Sequence, residues 1–171
     1  MLSHSSRGEF LENEDEDVAT TVLEALEDMG IEFIFDAETT EVHKNNNSLT
    51  MQYEQGPGIE ELETDKILVA IGRYPNIDNL NLDAAGIELS KDHSIEVNKH
   101  LQTTIDHIYA MGDVKGGLEH TYISLDDYRI VLSHLFDEGK YYLDERIYVP
   151  FATFINPTLS TVGLTEKEAK E

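Results

Sequence analysis

The chain has 171 residues, 35 acidic and 12 basic, giving a formal net charge of -23, and it contains no cysteine. A field of that sign repels nucleic-acid phosphates and anionic membrane surfaces, which argues against both as partners. The lack of cysteine excludes disulphide staples, thiolate metal sites and a thiol redox centre within these residues. Hydrophobic residues make up 40% of the chain, with no run long enough to cross a bilayer, so a soluble globular protein is expected. The polar stretch Met1 to Gly8 has no apolar core of a secretory signal, and a cytoplasmic setting follows as the expectation.

The acidic run from Glu12 to Asp17 leads into Val18, Val22, Leu26 and Met29, the spacing of one face of an amphipathic helix. Carboxylates suit its first turn and Gly30 its end. No Asp-x-Asp-x-Asp-Gly loop accompanies the acids, so the cluster is read as helix start and not as a calcium site. A strand is predicted at Ile31 to Phe35, then a hairpin of Thr40 to Lys44 and Leu49 to Tyr53 around the Asn45-to-Ser48 turn. Gly56-Pro-Gly58 turns the chain into Ile59 to Glu63. The continuous apolar run Ile67 to Ile71, closed by Gly72, predicts a strand covered on both faces.

Beyond the connector Arg73 to Asp83, Ile87-Glu-Leu and Ile95-Glu-Val alternate around Lys91 to Ser94 as a hairpin. Ile108 to Met111 reads as a short strand entering Gly112-Asp113. Leu125, Tyr128, Val131, Leu132, Leu135 and Phe136 share a helical face, with Ser124 and Asp127 spaced as a capping box and Gly139 as the stop. A polar linker runs from Tyr141 to Arg146, a strand from Val149 to Ile155, and Thr165 with Glu168 caps a final helix. Both ends look cut.

The segment with most chemical content is Thr104-Ile-Asp-His-Ile-Tyr-Ala-Met-Gly-Asp113. A strand leading to Gly112 lets a ligand approach the backbone, and Asp113 then presents a carboxylate at the strand's carboxyl end, able to accept from sugar-like hydroxyls. The same dipeptide also suits an ordinary turn. The seven histidines show no two-histidine spacing on a helix face and are read as surface or packing residues, with no metal site. Arg7 is read as an exposed arginine in preference to a grip on a nucleotide 2'-phosphate.

In context, this segment resembles the second FAD motif of the pyridine nucleotide-disulphide oxidoreductases, the group containing glutathione reductase and dihydrolipoyl dehydrogenase. Asp65-Lys-Ile-Leu-Val-Ala-Ile-Gly-Arg-Tyr-Pro-Asn76 resembles that family's strand leaving the NAD(P) domain, and Phe10 to Ala19 resembles a helix-opening segment of the same domain. Pro150 to Glu168, with Val162-Gly-Leu-Thr-Glu166, is similar to the opening of its dimerisation domain. The run Gly116 to Val131 resembles the bacterial branch linked to resistance against hypothiocyanous acid and reactive chlorine species.

The resemblance implies an α/β fold: partial FAD/NAD(P)-binding Rossmann-like domains with a β-meander, plus the start of an α+β dimerisation domain. The implied boundaries are 1–72 for the later part of the NAD(P) domain, 73–145 for that of the FAD domain, and 146–171 for the dimerisation domain. By the same resemblance, Gly112 and Asp113 would contact the ribityl chain of FAD. Thr121, Tyr122 and Ile123 would open the helix aimed at the flavin pyrimidine edge, and Gly72 would close the crossover strand beside the cofactor. Backbone N–H groups and the positive end of a helix favour negative charge on a reduced ring. Asp126 and Asp127 are read as acids strengthening that helix start.

The family's Gly-x-Gly-x-x-Gly fingerprint and its redox cysteine pair do not occur in this chain, and the family's C-terminal His and Glu are expected beyond Glu171. The expectation is therefore an internal fragment of an enzyme passing hydride from NAD(P)H through FAD to a disulphide or similar acceptor, inactive alone and with no catalytic residue of its own. A second reading is a non-catalytic module completing a nucleotide site with a partner chain. Severed sheet neighbours would leave edges and apolar surface exposed, so self-association or a homodimer is expected.

Overall fold

The computed structural model describes residues 2–5 and 10–170; Arg7 lies outside the described residues. The chain divides into two compact units, one of Met1–Ala70 with Val149–Glu171 and one of Ile71–Tyr148.

In the first unit, β1 (Leu2–Ser5) and β2 (Glu32–Phe35) pair in parallel, joined by helix α1 (Glu16–Asp28). Parallel neighbours need such a crossover, and the predicted acids Glu16 and Asp17 occupy the helix's first turn. Val22 is buried, and at the other end the Gly30 N–H donates to the Glu27 carbonyl at 2.8 Å. Phe33 lies edge-on to Phe10 at 5.3 Å and stacks with Phe35, two residues on and so on the same face of β2, at 5.8 Å.

The predicted meander forms as β3 (Ala37–Lys44), β4 (Leu49–Gln55) and β5 (Gly58–Thr64), antiparallel in that order. The Asn45 N–H closes the first turn on the Ser48 carbonyl at 2.9 Å. Only Ala37 of β3 is buried, and a register shift lies between Thr39 and Glu41. The cross-strand links are polar, such as Gln52 Nε2 to Glu61 Oε1 at 2.7 Å, so the ladder is held by hydrogen bonds more than by a covered face.

The run Ile67 to Ile71 departs from expectation. It forms no strand, and Leu68, Val69 and Ile71 are 83%, 72% and 89% exposed. An apolar run becomes a central strand only where neighbours supply ladder bonds and cover, and no described strand pairs with this one.

Val149 onward returns to the first unit. The strand predicted at Val149 to Ile155 shortens to β6 (Phe151–Thr153), paired antiparallel with β7 (Leu159–Thr161). The predicted Thr165–Glu168 capping box is present and opens a one-turn helix, Glu166–Ala169. Asp15, at the N-cap position of α1, directs its carboxylate elsewhere and accepts from the Glu166 N–H at 2.8 Å and the Lys167 N–H at 3.1 Å. One carboxylate thus bridges segments 151 residues apart.

The second unit is built of turns around a small apolar core and one long helix. A short helix spans Leu82–Ala85, and a 3-10 turn spans Gly112–Lys115. Ile87, Ile95 and Ala110 form the core, with Ile77, Val97, Ile105 and Val114 packed on it. The hairpin predicted at Ile87 to Val97 reduces to a single bridge, Leu89 to Ile95, and the strand at Ile108 to Met111 to another, Gln102 to Tyr109. Here tight turns use the polar groups locally. Asp92 accepts from the Ser90 and Ser94 hydroxyls and the Ser94 N–H, and these bonds hold its carboxyl at about 2.

The long helix α3 covers Thr121–Phe136 with His120 as its cap residue, so the Ser124–Asp127 capping box does not form. Gly139 lies beyond its end, and the Gly139 N–H donates to the Ser133 carbonyl at 3.0 Å. The face that packs is also not the one expected. Ile123, Asp127, Ile130 and Ser133 are buried, whereas Leu125, Tyr128, Leu135 and Phe136 are exposed. Both stripes carry helical periodicity, and the core lies against the one with fewer apolar side chains.

Ile130→Ala should therefore cost about 2–5 kcal/mol by emptying a fully buried site, whereas Phe136→Ala should change stability by less than about 0.5 kcal/mol. Urea denaturation of the two variants, followed by far-ultraviolet circular dichroism, checks which face is packed.

Candidate functional site

In the second unit, the 3-10 turn at Gly112 and the start of α3 together line a cavity of about 580 Å³. Its lining is Arg73, Met111, Gly112, Asp113, Glu119, Thr121 and Ser124. That volume falls in the range used for small-molecule sites, about 300–1,000 Å³. Carboxylates come from Asp113 and Glu119, hydroxyls from Thr121 and Ser124, and a guanidinium from Arg73, which pairs with Glu119 at 2.7 Å.

Gly112 is buried at φ 72°, a conformation that favours glycine. A Cβ there would sit 2.9 Å from Ser124 Oγ, so the turn is pressed against α3 and has no room for a side chain. Close packing on the helix thus requires a glycine here even before any ligand approaches the backbone. Asp113, next in line, is exposed yet stands on the cavity wall.

At the start of α3, no side chain caps the helix. Thr121 lines the cavity, while Tyr122 stacks with His120 at 5.2 Å between ring centroids. Ile123 is buried, and its N–H donates to the His120 carbonyl at 3.0 Å, so it serves the core of the unit. Gly72 has φ 131° and open space around it; it does not line the cavity, although its neighbour Arg73 does.

Asp126 and Asp127 do not act as first-turn acids, because α3 begins at Thr121 and has no acidic residue in its first turn. Asp127 is instead wholly buried, with charged and hydrogen-bonding partners on both oxygens. Its Oδ2 accepts from the Gly112 N–H at 2.8 Å and lies 3.6 Å from Lys115 Nζ. Its Oδ1 accepts from Arg146 Nη2 at 2.5 Å. Asp126 accepts from Arg146 Nε at 2.7 Å and from the Tyr141 hydroxyl at 3.0 Å. Burial pulls the Arg146 guanidinium toward neutrality, but the two carboxylates outweigh it and hold its pKa above the ordinary value. Burial and the bond to Asp126 push the Tyr141 hydroxyl up.

Sequence reasoning missed this network of Lys115, Asp127, Tyr141 and Arg146. A signal for it was present: Ile123, Asp127 and Ile130, at steps of four and three, share one helical stripe, and a carboxylate on a buried stripe calls for cationic partners. Gly112→Ala combines a positive φ with a contact at 2.9 Å and should destabilise the protein by about 1–3 kcal/mol. Thermal melting checks this, and an unchanged midpoint would contradict the packing described.

Comparison with known proteins now bears on the same residues. The family model described as pyridine nucleotide-disulphide oxidoreductase matches residues 5–127. The chain is 43% identical over 162 residues to a probable pyridine nucleotide-disulfide oxidoreductase, RclA, of Escherichia coli, covering 95% of this chain and 36% of that protein. It is 36% identical to a mercuric reductase of Staphylococcus aureus, over 92% of this chain and 28% of that one. A dihydrolipoyl dehydrogenase of Mycobacterium leprae is 29% identical, over 93% and 34% respectively. Among solved structures, the HOCl-induced flavoprotein disulfide reductase RclA of Escherichia coli superposes with a TM-score of 0.91 at 40% identity, covering 99% of this chain and 38% of that one. Its Cu(II) complex gives 0.90, again at 40% identity, with 99% and 37% covered. The chain thus spans about a third of the length of the relatives it matches. The Gly-Asp turn, the first part of α3 as far as Asp127 and most of the first unit fall within the matched residues, and the chain belongs to the pyridine nucleotide-disulphide oxidoreductase family.

Proposed function

We propose that this chain supplies the ribityl-contact part of an FAD site in an enzyme that passes hydride from NAD(P)H through FAD to a disulphide or similar acceptor. The observation that carries the reading is Asp113, which lines a cavity beside the start of α3, where no side chain caps the helix. The residues fit the group. A carboxylate and the hydroxyls of Thr121 and Ser124 suit a polyol, and the positive end of a helix suits an electron-rich ring edge. When bound, FAD supplies the two-electron chemistry. The chain's own residues bind and orient: Asp113 accepts from the sugar-alcohol, and the first turn of α3 presents backbone dipole. Gly72, Tyr122 and Ile123 belong to the proposed contact set by the family motif alone, since none of them lines the cavity.

The same reading holds that the chain does not turn over alone. It contains no cysteine to relay electrons to a disulphide and no Gly-x-Gly-x-x-Gly loop to hold a pyrophosphate. On this view it is a section of a larger cytoplasmic enzyme. The boundaries 1–72, 73–145 and 146–171 then mark its shares of the NAD(P), FAD and dimerisation domains.

FAD titrated into the purified chain should show weak binding by flavin fluorescence, and NAD(P)H should give no turnover. Asp113→Asn should lower the affinity about ten- to a hundredfold, the value of hydrogen bonds to a charged acceptor. An unchanged affinity in Asp113→Asn would remove the flavin assignment, and robust NAD(P)H oxidation would remove the claim of inactivity.

The exposed apolar side chains Leu125, Tyr128, Leu135 and Phe136 on α3, with Leu68, Val69 and Ile71, support self-association. Light scattering should report a mass above that of the single chain, growing with concentration; a monomer throughout would count against it.

A further inference from the structure

We propose that Asp127 is a positioning residue for Asp113, and that Arg146 and Lys115 hold it in that role. The inference rests on the flavin reading of the cavity but concerns residues that do not line it. Asp127 has no exposed surface, so the carboxylate needs its partners inside the protein. Both oxygens are taken. Oδ2 receives the Gly112 N–H and faces Lys115 Nζ, whose side chain is only 7% exposed, and Oδ1 receives Arg146 Nη2. Three segments converge on one charge: the turn carrying Asp113, the middle of α3, and the linker ending at Arg146.

The geometry makes this more than a support for the helix. The Gly112 N–H belongs to the peptide link two bonds before Gly112's own carbonyl, which leads directly to Asp113. That N–H is fixed on Asp127, and the turn lies close against Ser124 one helical turn earlier, so α3 holds it at two neighbouring points. The direction in which Asp113 enters the cavity is then set by a carboxylate two helical turns away from the start of α3. A charge-assisted acceptor is stronger and more directional than a neutral one, which suits it to this task. Arg146 in turn is located by its second bond, to Asp126, and Asp126 by the Tyr141 hydroxyl. The linker from Tyr141 to Arg146 therefore acts on the turn through two carboxylates.

The test uses the whole chain labelled with nitrogen-15, with Asp127→Asn, Arg146→Gln and Asp113→Asn compared. In Asp127→Asn, the Gly112 amide proton should move upfield and exchange with solvent at least about tenfold faster, because the charged acceptor is gone. FAD affinity should fall about tenfold. Arg146→Gln should shift the same amide in the same direction by less, and Asp113→Asn should lower affinity while leaving the Gly112 amide in place. A Gly112 amide unaltered in Asp127→Asn, or wild-type FAD affinity in that variant, overturns the positioning role. If Asp127→Asn loses its helical circular dichroism, Arg146→Gln decides by the same two readouts, and an unmoved amide there overturns the role equally. A wild-type chain that binds no FAD counts against the flavin reading alone, since the amide measurement still shows whether Asp127 sets the turn.

Discussion

A carboxylate cannot be taken out of water without compensation, and the second unit is arranged around meeting that requirement at Asp127. Its partners come from the turn at Gly112, from Lys115 and from Arg146. Were the site apolar, the turn and the linker could settle on α3 in several ways of similar energy. Paired charges are less tolerant, because a displacement leaves a buried ion without its partner at a cost of several kcal/mol. The price in desolvation is high, and what it secures is a defined geometry beside the cavity.

The two units contrast in how they hold together. The second has a small apolar core under α3, with polar turns closed by local side-chain bonds such as those on Asp92. The first relies on ladder bonds and cross-strand polar pairs, with few buried side chains among the described residues. The surfaces left bare, around Leu68 to Ile71 and along α3, are the ones that the sequence patterns mark as interior.

That is also why the sequence was legible unevenly. Helix α1, the meander and the Thr165 capping box follow from local signals, since turn residues, periodicity and caps act within a few positions. Ile67 to Ile71 was misread because an apolar run specifies a buried strand only together with neighbours, which local pattern cannot supply. The packed face of α3 was misread for a related reason: Leu125, Tyr128, Leu135 and Phe136 outnumber the apolar residues on the stripe that is in fact buried. At the cavity, Gly112, Asp113 and Thr121 were found by motif and are brought together. Arg146 was not, because its meaning depends on a contact across 19 positions that no short motif encodes.

The bridge from Asp15 to Glu166 and Lys167 has a consequence for the order of events during synthesis. The first unit draws on stretches of chain from both sides of the second, so this clasp cannot form until Glu166 and Lys167 have left the ribosome. The second unit is continuous and can consolidate before that clasp forms. Asp15 must wait through the synthesis of the whole second unit before its partners arrive, and a chaperone would serve that interval.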